Sequence, residues 1–158
     1  MNKLTLSAVV QNSNTALDFI HDELEQYKCS PRTLYMLDLA IEELFVNIAN
    51  YGYPDGNIGS VTITSEIRKT ASLLPEFINA SGTPEAADPE DSYTIRIQFI
   101  DDAIPYNPLA HEDPDISLSA EERNIGGLGI FLVKKYMDKV EYKYLDNRNV
   151  FTIYKIIK

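Results

Sequence analysis

Three groups of residues in this 158-residue chain combine types that can do chemistry with a spacing that lets them act together. The first is Glu43, Asn47 and Tyr51 in "IEELFVNIANYGY" (41–53). On a helix turning about 100° per residue, positions i, i+4 and i+8 stack as one row. Here the row runs along the edge of an apolar stripe made by Leu37, Ile41, Leu44 and Ile48, with Asn50 nearby. A carboxylate and an amide one turn apart, half in and half out of a core, can hold a hydrated metal ion or orient a water or hydroxyl. They can equally hydrogen-bond a helix edge to neighbouring loops. Glu42 points well away from the stripe and reads as a solvated acid.

The second group lies in "YTIRIQFIDDAIPYNP" (93–108). With the two-residue period of a strand, Tyr93, Ile95, Ile97 and Phe99 share a face and Asp101 is next on it, whereas Asp102 turns to the other side. An aspartate that ends an apolar row is costly to bury unless donors reach it. A backbone N–H would serve, and so would the exocyclic amine of an adenine. The third group is "RNIGGLGIFLV" (123–133), with Gly126, Gly127 and Gly129 at the mouth of a helix. Glycines there let the backbone approach a ligand and leave N–H groups free for phosphate oxygens. No GK[ST] follows, so this is not a Walker loop, and the strand, glycine loop and helix are out of order for a βαβ dinucleotide unit. Arg123, Lys134 and Lys135 are the nearest counter-charges, the two lysines reading as surface residues.

The elements that must position these groups are legible in the pattern. Leu4, Leu6 and Ala8 alternate as a first strand. "NSNT" offers caps for a helix carrying Leu17, Ile20, Leu24 and Tyr27, which breaks at "CSP". Pro31 opens a second helix that Gly52 and Pro54 stop. "GSVTITSEI" and "YTIRIQFI" are strands. Between them, residues 69–92 are rich in Pro, Ala, Ser and acid, which predicts a mobile insertion serving as spacer or partner contact. "IFLVKKYMDKV" is a third helix, and "VEYKYL" and "NVFTIYKII" flank "DNRN" as a closing hairpin. This order describes an α+β two-layer sandwich: a mostly antiparallel, mixed five-stranded sheet with three helices on one face, expected as one domain over residues 1–158.

Composition bounds the function. A formal charge of −10 and a pI near 4.6 argue against direct nucleic-acid binding, which needs a basic footprint. No segment approaches the about 18 apolar residues of a membrane span, and the N-terminus lacks the pattern of a signal peptide, so a cytoplasmic protein with no membrane association is expected. The single cysteine, Cys29, forms no internal disulfide, and with His21 and His111 it makes no zinc-ligand set.

Taken together and in this order, "EELFVNIANYGY", "DDAIPYNP" and "ERNIGGLGIFLVKKYMDKVEY" resemble the Bergerat-type ATP-binding fold of histidine kinases, gyrase, Hsp90 and MutL. Within it they look most like the bacterial anti-sigma factor serine/threonine protein kinases. The resemblance covers nearly all of the chain except residues 69–92. It implies ATP and Mg²⁺ as ligands. Glu43 would be the catalytic carboxylate and Asn47 the Mg²⁺ ligand, with Tyr51 lining the pocket. Asp101 would accept from the adenine amine, followed by Ala103 and Pro105 beside the nucleotide. Gly126, Gly127, Leu128 and Gly129 would line the phosphates beneath a lid over roughly 106–125, with Arg123 a phosphate contact at its end and Thr152 near the adenine. Family members usually carry glycine where Ala103 stands and often histidine where Tyr51 stands. The implied function is phosphorylation of a small anti-anti-sigma (STAS-type) protein and sequestration of a sigma factor, usually by a homodimer of the kinase. The alternative is a nucleotide-responsive regulatory module without phosphoryl transfer, which Ala103 favours.

Overall fold

The structure is a computed structural model and describes residues 1–73, 91–110, 112–114 and 128–157. Five strands and three helices follow one another as β1 (Asn2–Ser7), α1 (Ser13–Leu24), α2 (Pro31–Asn47), β2 (Ser60–Lys69), β3 (Tyr93–Asp101), α3 (Leu128–Tyr136), β4 (Lys139–Leu145) and β5 (Arg148–Ile157). Residues 70–73 add a helical turn after β2. The element order expected from the sequence is the one observed. Most of the insertion expected at 69–92 lies outside the described residues.

The strands form one sheet in the order β1-β2-β3-β5-β4. Every pairing is antiparallel, so the sheet is not mixed as expected. Register decides which side chains meet the helices. Val61, Ile63, Ile95, Ile97, Phe99, Phe151 and Ile153 belong to one face and pack into a single core with Ala16, Ile20 and Leu24 of α1, Leu37, Ile41, Leu44 and Phe45 of α2, and Ile130 and Val133 of α3. The alternation along each strand fixes this face because a one-residue slip would turn every apolar side chain outward.

Local chemistry sets the helix ends. Ser30 caps α2, its Oγ accepting from the Thr33 N–H at 3.2 Å, and Pro31 takes the first-turn position where no N–H is needed. Glu23 of α1 accepts from the Ser65 hydroxyl on β2, and His21 pairs with Asp38 of α2 at 2.6 Å. These contacts tie α1 to the sheet and to its neighbour α2. Among the described residues no helix is long and apolar enough to cross a membrane.

Candidate functional site

Helix α2 does not stop at Gly52 in α-helical form. After Asn47 it widens into a π turn over Ile48–Gly52. Such a turn is closed by i→i+5 bonds and holds an extra residue. Glu43 and Asn47 are half-buried, whereas Tyr51 keeps 68% of its surface exposed. Glu42 is exposed, as its place on the wheel indicates.

Glu43 reaches across to α3. A β-carbon at Gly129 would overlap Glu43 Oε2 and stand 2.8 Å from Cδ, so the carboxylate rests on the bare α-carbon at the first turn of α3. Its proton affinity is raised, first by burial and then by the charge of Glu42. At the other end of the π turn, Gly52 faces the end of β3, where a β-carbon would come 3.0 Å from Cβ of Ala103. One helix therefore touches both the strand-end loop and the mouth of α3.

Asp101 closes the apolar row of β3 and is buried. Its Oδ1 accepts from the Ala103 N–H at 3.0 Å and from Asn149 Nδ2 at 2.9 Å. Burial raises its pKa, the Asn149 and Ala103 donors oppose that rise, and the neighbouring charge of Asp102 adds to it. Both donors meet the same oxygen, which leaves Oδ2 without a hydrogen-bond partner among the described residues. Asn149 binds more than Asp101. Its Nδ2 also lies 3.1 Å from Ile104 O and 3.3 Å from Ala103 O, while its Oδ1 accepts from the Tyr106 N–H at 3.2 Å and the Tyr142 hydroxyl at 2.6 Å. Behind the loop, the Tyr53 hydroxyl stands 2.6 Å from Asp102 Oδ1 and 3.0 Å from Ser60 O. Burial, then that contact, pushes the phenol's pKa up.

The structure brings Glu43 to Gly129 and Gly52 to Ala103, and seats Asp101 at the head of β3 on the helix-covered face. Leu128 opens α3 with 40% of its surface exposed, and Pro105 is exposed in the loop. Thr152 is not brought to this face. It pairs in register with Gln98, whose Nε2 donates to its hydroxyl at 3.2 Å, and both point to the side of the sheet away from the helices. The residue of β5 that does meet Asp101 is Asn149, three positions earlier and of opposite parity. Its signal in the sequence was the alternation itself, because Phe151 and Ile153 are core residues and Asn149 shares their face. Lys134 forms an ion pair with Asp113, and Lys135 is exposed. Arg123, Gly126, Gly127 and most of the expected lid lie outside the described residues.

The residues present suit a purine nucleotide. Asp101 Oδ2 is an unused acceptor at a buried strand end, suited to an amine donor. Among the described residues no group of three or more His, Cys, Asp or Glu could hold a metal ion. Asn47 would be the residue that holds a Mg²⁺, with a bound nucleotide supplying further ligands.

A family model described as "Histidine kinase-like ATPase domain" matches residues 6–155. No curated protein matches the chain. Among solved structures, the crystal structure of the RsbU and RsbW domains of Rv1364c from Mycobacterium tuberculosis is similar, with a TM-score of 0.54 at 10% identity. The similarity covers 100% of this chain and 33% of that one, so this chain spans about a third of its length.

Proposed function

Because the chain belongs to the histidine kinase-like ATPase domain family, we propose that it is an ATP-binding anti-sigma regulatory factor with Mg²⁺-dependent protein serine kinase activity. Its acceptor is a small anti-anti-sigma (STAS-type) protein and its sequestered partner a sigma factor. The observation that carries this reading is the double contact of α2, with Glu43 against Gly129 and Gly52 against Ala103, which draws the acid helix, the strand-end aspartate and the glycine-bearing helix to one place.

In this reading the adenine amine donates to Asp101 Oδ2, and the backbone N–H groups at the mouth of α3 receive the phosphates, favoured by the helix dipole. Asn47 would hold a Mg²⁺, which when bound would supply charge neutralisation at the phosphates. Glu43 acts as the base. Among the described residues its carboxylate has no hydrogen-bond partner, so it can accept from a serine hydroxyl and orient that oxygen toward the terminal phosphate. Catalysis here is mostly positioning and charge stabilisation. The Ala103 methyl is accommodated because Gly52 lacks one.

Incubation of the purified protein with Mg²⁺, labelled ATP and the STAS-type partner tests the reading. Label on a partner serine, absent with Glu43→Ala, is the expected result. ATP-dependent complex formation with no label on the partner would identify the nucleotide-responsive module instead, and no thermal stabilisation by MgATP would remove both.

A further inference from the structure

We propose that Asn149 is the positioning residue that makes the pocket select a 6-amino purine over a 6-oxo purine, by committing one oxygen of Asp101 to the protein and leaving the other as a pure acceptor. The proposal rests on the reading of Asp101 as the base contact.

The geometry supports it on three counts. Asn149 and Asp101 are directly paired across β3 and β5, so their side chains leave the sheet on the same face. The Asn149 amide and the Ala103 N–H both aim at Oδ1, at 2.9 and 3.0 Å, and two donors on one oxygen favour the ionised carboxylate. The same amide reaches the carbonyls of Ala103 and Ile104 and accepts from Tyr106 and Tyr142, so neither it nor the loop can swing to meet Oδ2 without breaking those hydrogen bonds. An ionised Oδ2 accepts from an exocyclic amine and has no proton to offer a 6-oxo group. Discrimination is steep when the wrong base leaves a polar group of the site without its hydrogen bond.

The titratable groups coupled to Asp101 are Asp102 beside it, Tyr53 from the turn after α2 and Tyr142 from β4. Both phenols are pushed above their ordinary value of 10.0 and stay neutral near pH 7, and Asp102 is common to every variant below. Changes at 149 therefore appear in how Asp101 titrates. Asn149→Asp keeps an acceptor for Tyr106 and Tyr142 but places a second carboxylate against Oδ1. The pair then shares one proton, which it loses as pH rises. Asn149→Ala instead removes a donor that opposes protonation of Asp101, so the carboxylate takes up its proton at higher pH than in the wild type.

The test is thermal stabilisation by MgATP and by MgITP, measured from about pH 5 to pH 9 for the wild type, Asn149→Asp and Asn149→Ala. The wild type is expected to prefer ATP, with any loss of binding confined to the acid end, where Asp101 takes up its proton. Asn149→Asp should lose ATP binding toward the alkaline end and Asn149→Ala toward the acid end, each with the ATP preference reduced by about tenfold or more. If the wild type shows no ATP response, the pocket reading falls and this inference with it. If the wild type responds and either folded variant keeps the wild-type pH profile and base preference, the inference alone is overturned.

Discussion

The carboxylate of Glu43 rests on the α-carbon of Gly129, joining the acid row of α2 to the first turn of α3. A methyl at 129 has to displace the end of a flexible side chain rather than backbone, which the fold tolerates and the chemistry does not. Alanine also suits a helix better than glycine by roughly 0.5–1 kcal/mol. Gly129→Ala is therefore expected to leave thermal stability equal or higher while phosphoryl transfer falls by about 10²-fold or more, as when a catalytic group is misplaced. Unchanged transfer in a folded Gly129→Ala protein would show that the seat of Glu43 does not matter.

Glu43 also makes a pH prediction. Its folded-state pKa lies above the ordinary 4.5, because burial and then Glu42 disfavour the charge. The native state thus holds the proton more tightly than the unfolded chain, and stability falls as pH rises through the window just above 4.5. The neutral, isosteric Glu43→Gln escapes that loss. Its urea midpoint should exceed that of the wild type at pH 7, and the difference should shrink as pH approaches 4. Transfer should meanwhile drop by roughly 10²–10⁴-fold, the usual contribution of a general base, with ATP binding retained.

Tyr53 separates stability from function. Its ring lies over Gly59 and its hydroxyl reaches Asp102 Oδ1 and Ser60 O, so it ties the turn after α2 to the loop after β3 from behind Asp101. Tyr53→Phe keeps the ring and loses the charge-assisted contact, a change of about 1.5–3 kcal/mol when the acceptor is a carboxylate. Chemical denaturation should show that loss. Stabilisation by MgATP, taken relative to the variant's own melting temperature, should be unaltered.

How far the sequence could be read depended on the range of each signal. Alternation along β3 put Asp101 at the end of an apolar row, and the structure buries it there on the helix-covered face. Helical periodicity puts Glu43 and Asn47 on one half-buried edge of α2, but it carries no information about the π turn that follows or about the exposure of Tyr51 within it. Thr152 was chosen by resemblance, against the parity that Phe151 and Ile153 impose on β5. Alternation along β5 places Asn149 on the core face, but the five groups it bonds come from two other stretches of chain, the end of β3 with the loop after it and strand β4, which no local pattern joins to it. The glycine cluster was read as phosphate-facing, whereas Gly129 also receives a side chain from α2, a contact visible only after folding.

Gly52 and Ala103 form a reciprocal pair of small residues where the π turn meets the strand-end loop. A β-carbon at 52 would stand 3.0 Å from Cβ of Ala103, closer than two carbons pack, and 3.6 Å from Ile48 Cγ2. Gly52→Ala must push the loop that carries the Ala103 N–H away from Asp101 Oδ1, at an overpacking cost of about 1–3 kcal/mol. Weaker stabilisation by MgATP should accompany it. Ala103→Gly removes the opposing methyl, so the double variant Gly52→Ala/Ala103→Gly should recover both stability and ATP response, giving a coupling energy of about 0.5–3 kcal/mol in a double-mutant cycle. Strict additivity of the two changes would mean that the helix end and the loop are not in contact, and the convergence on which the site depends would be lost.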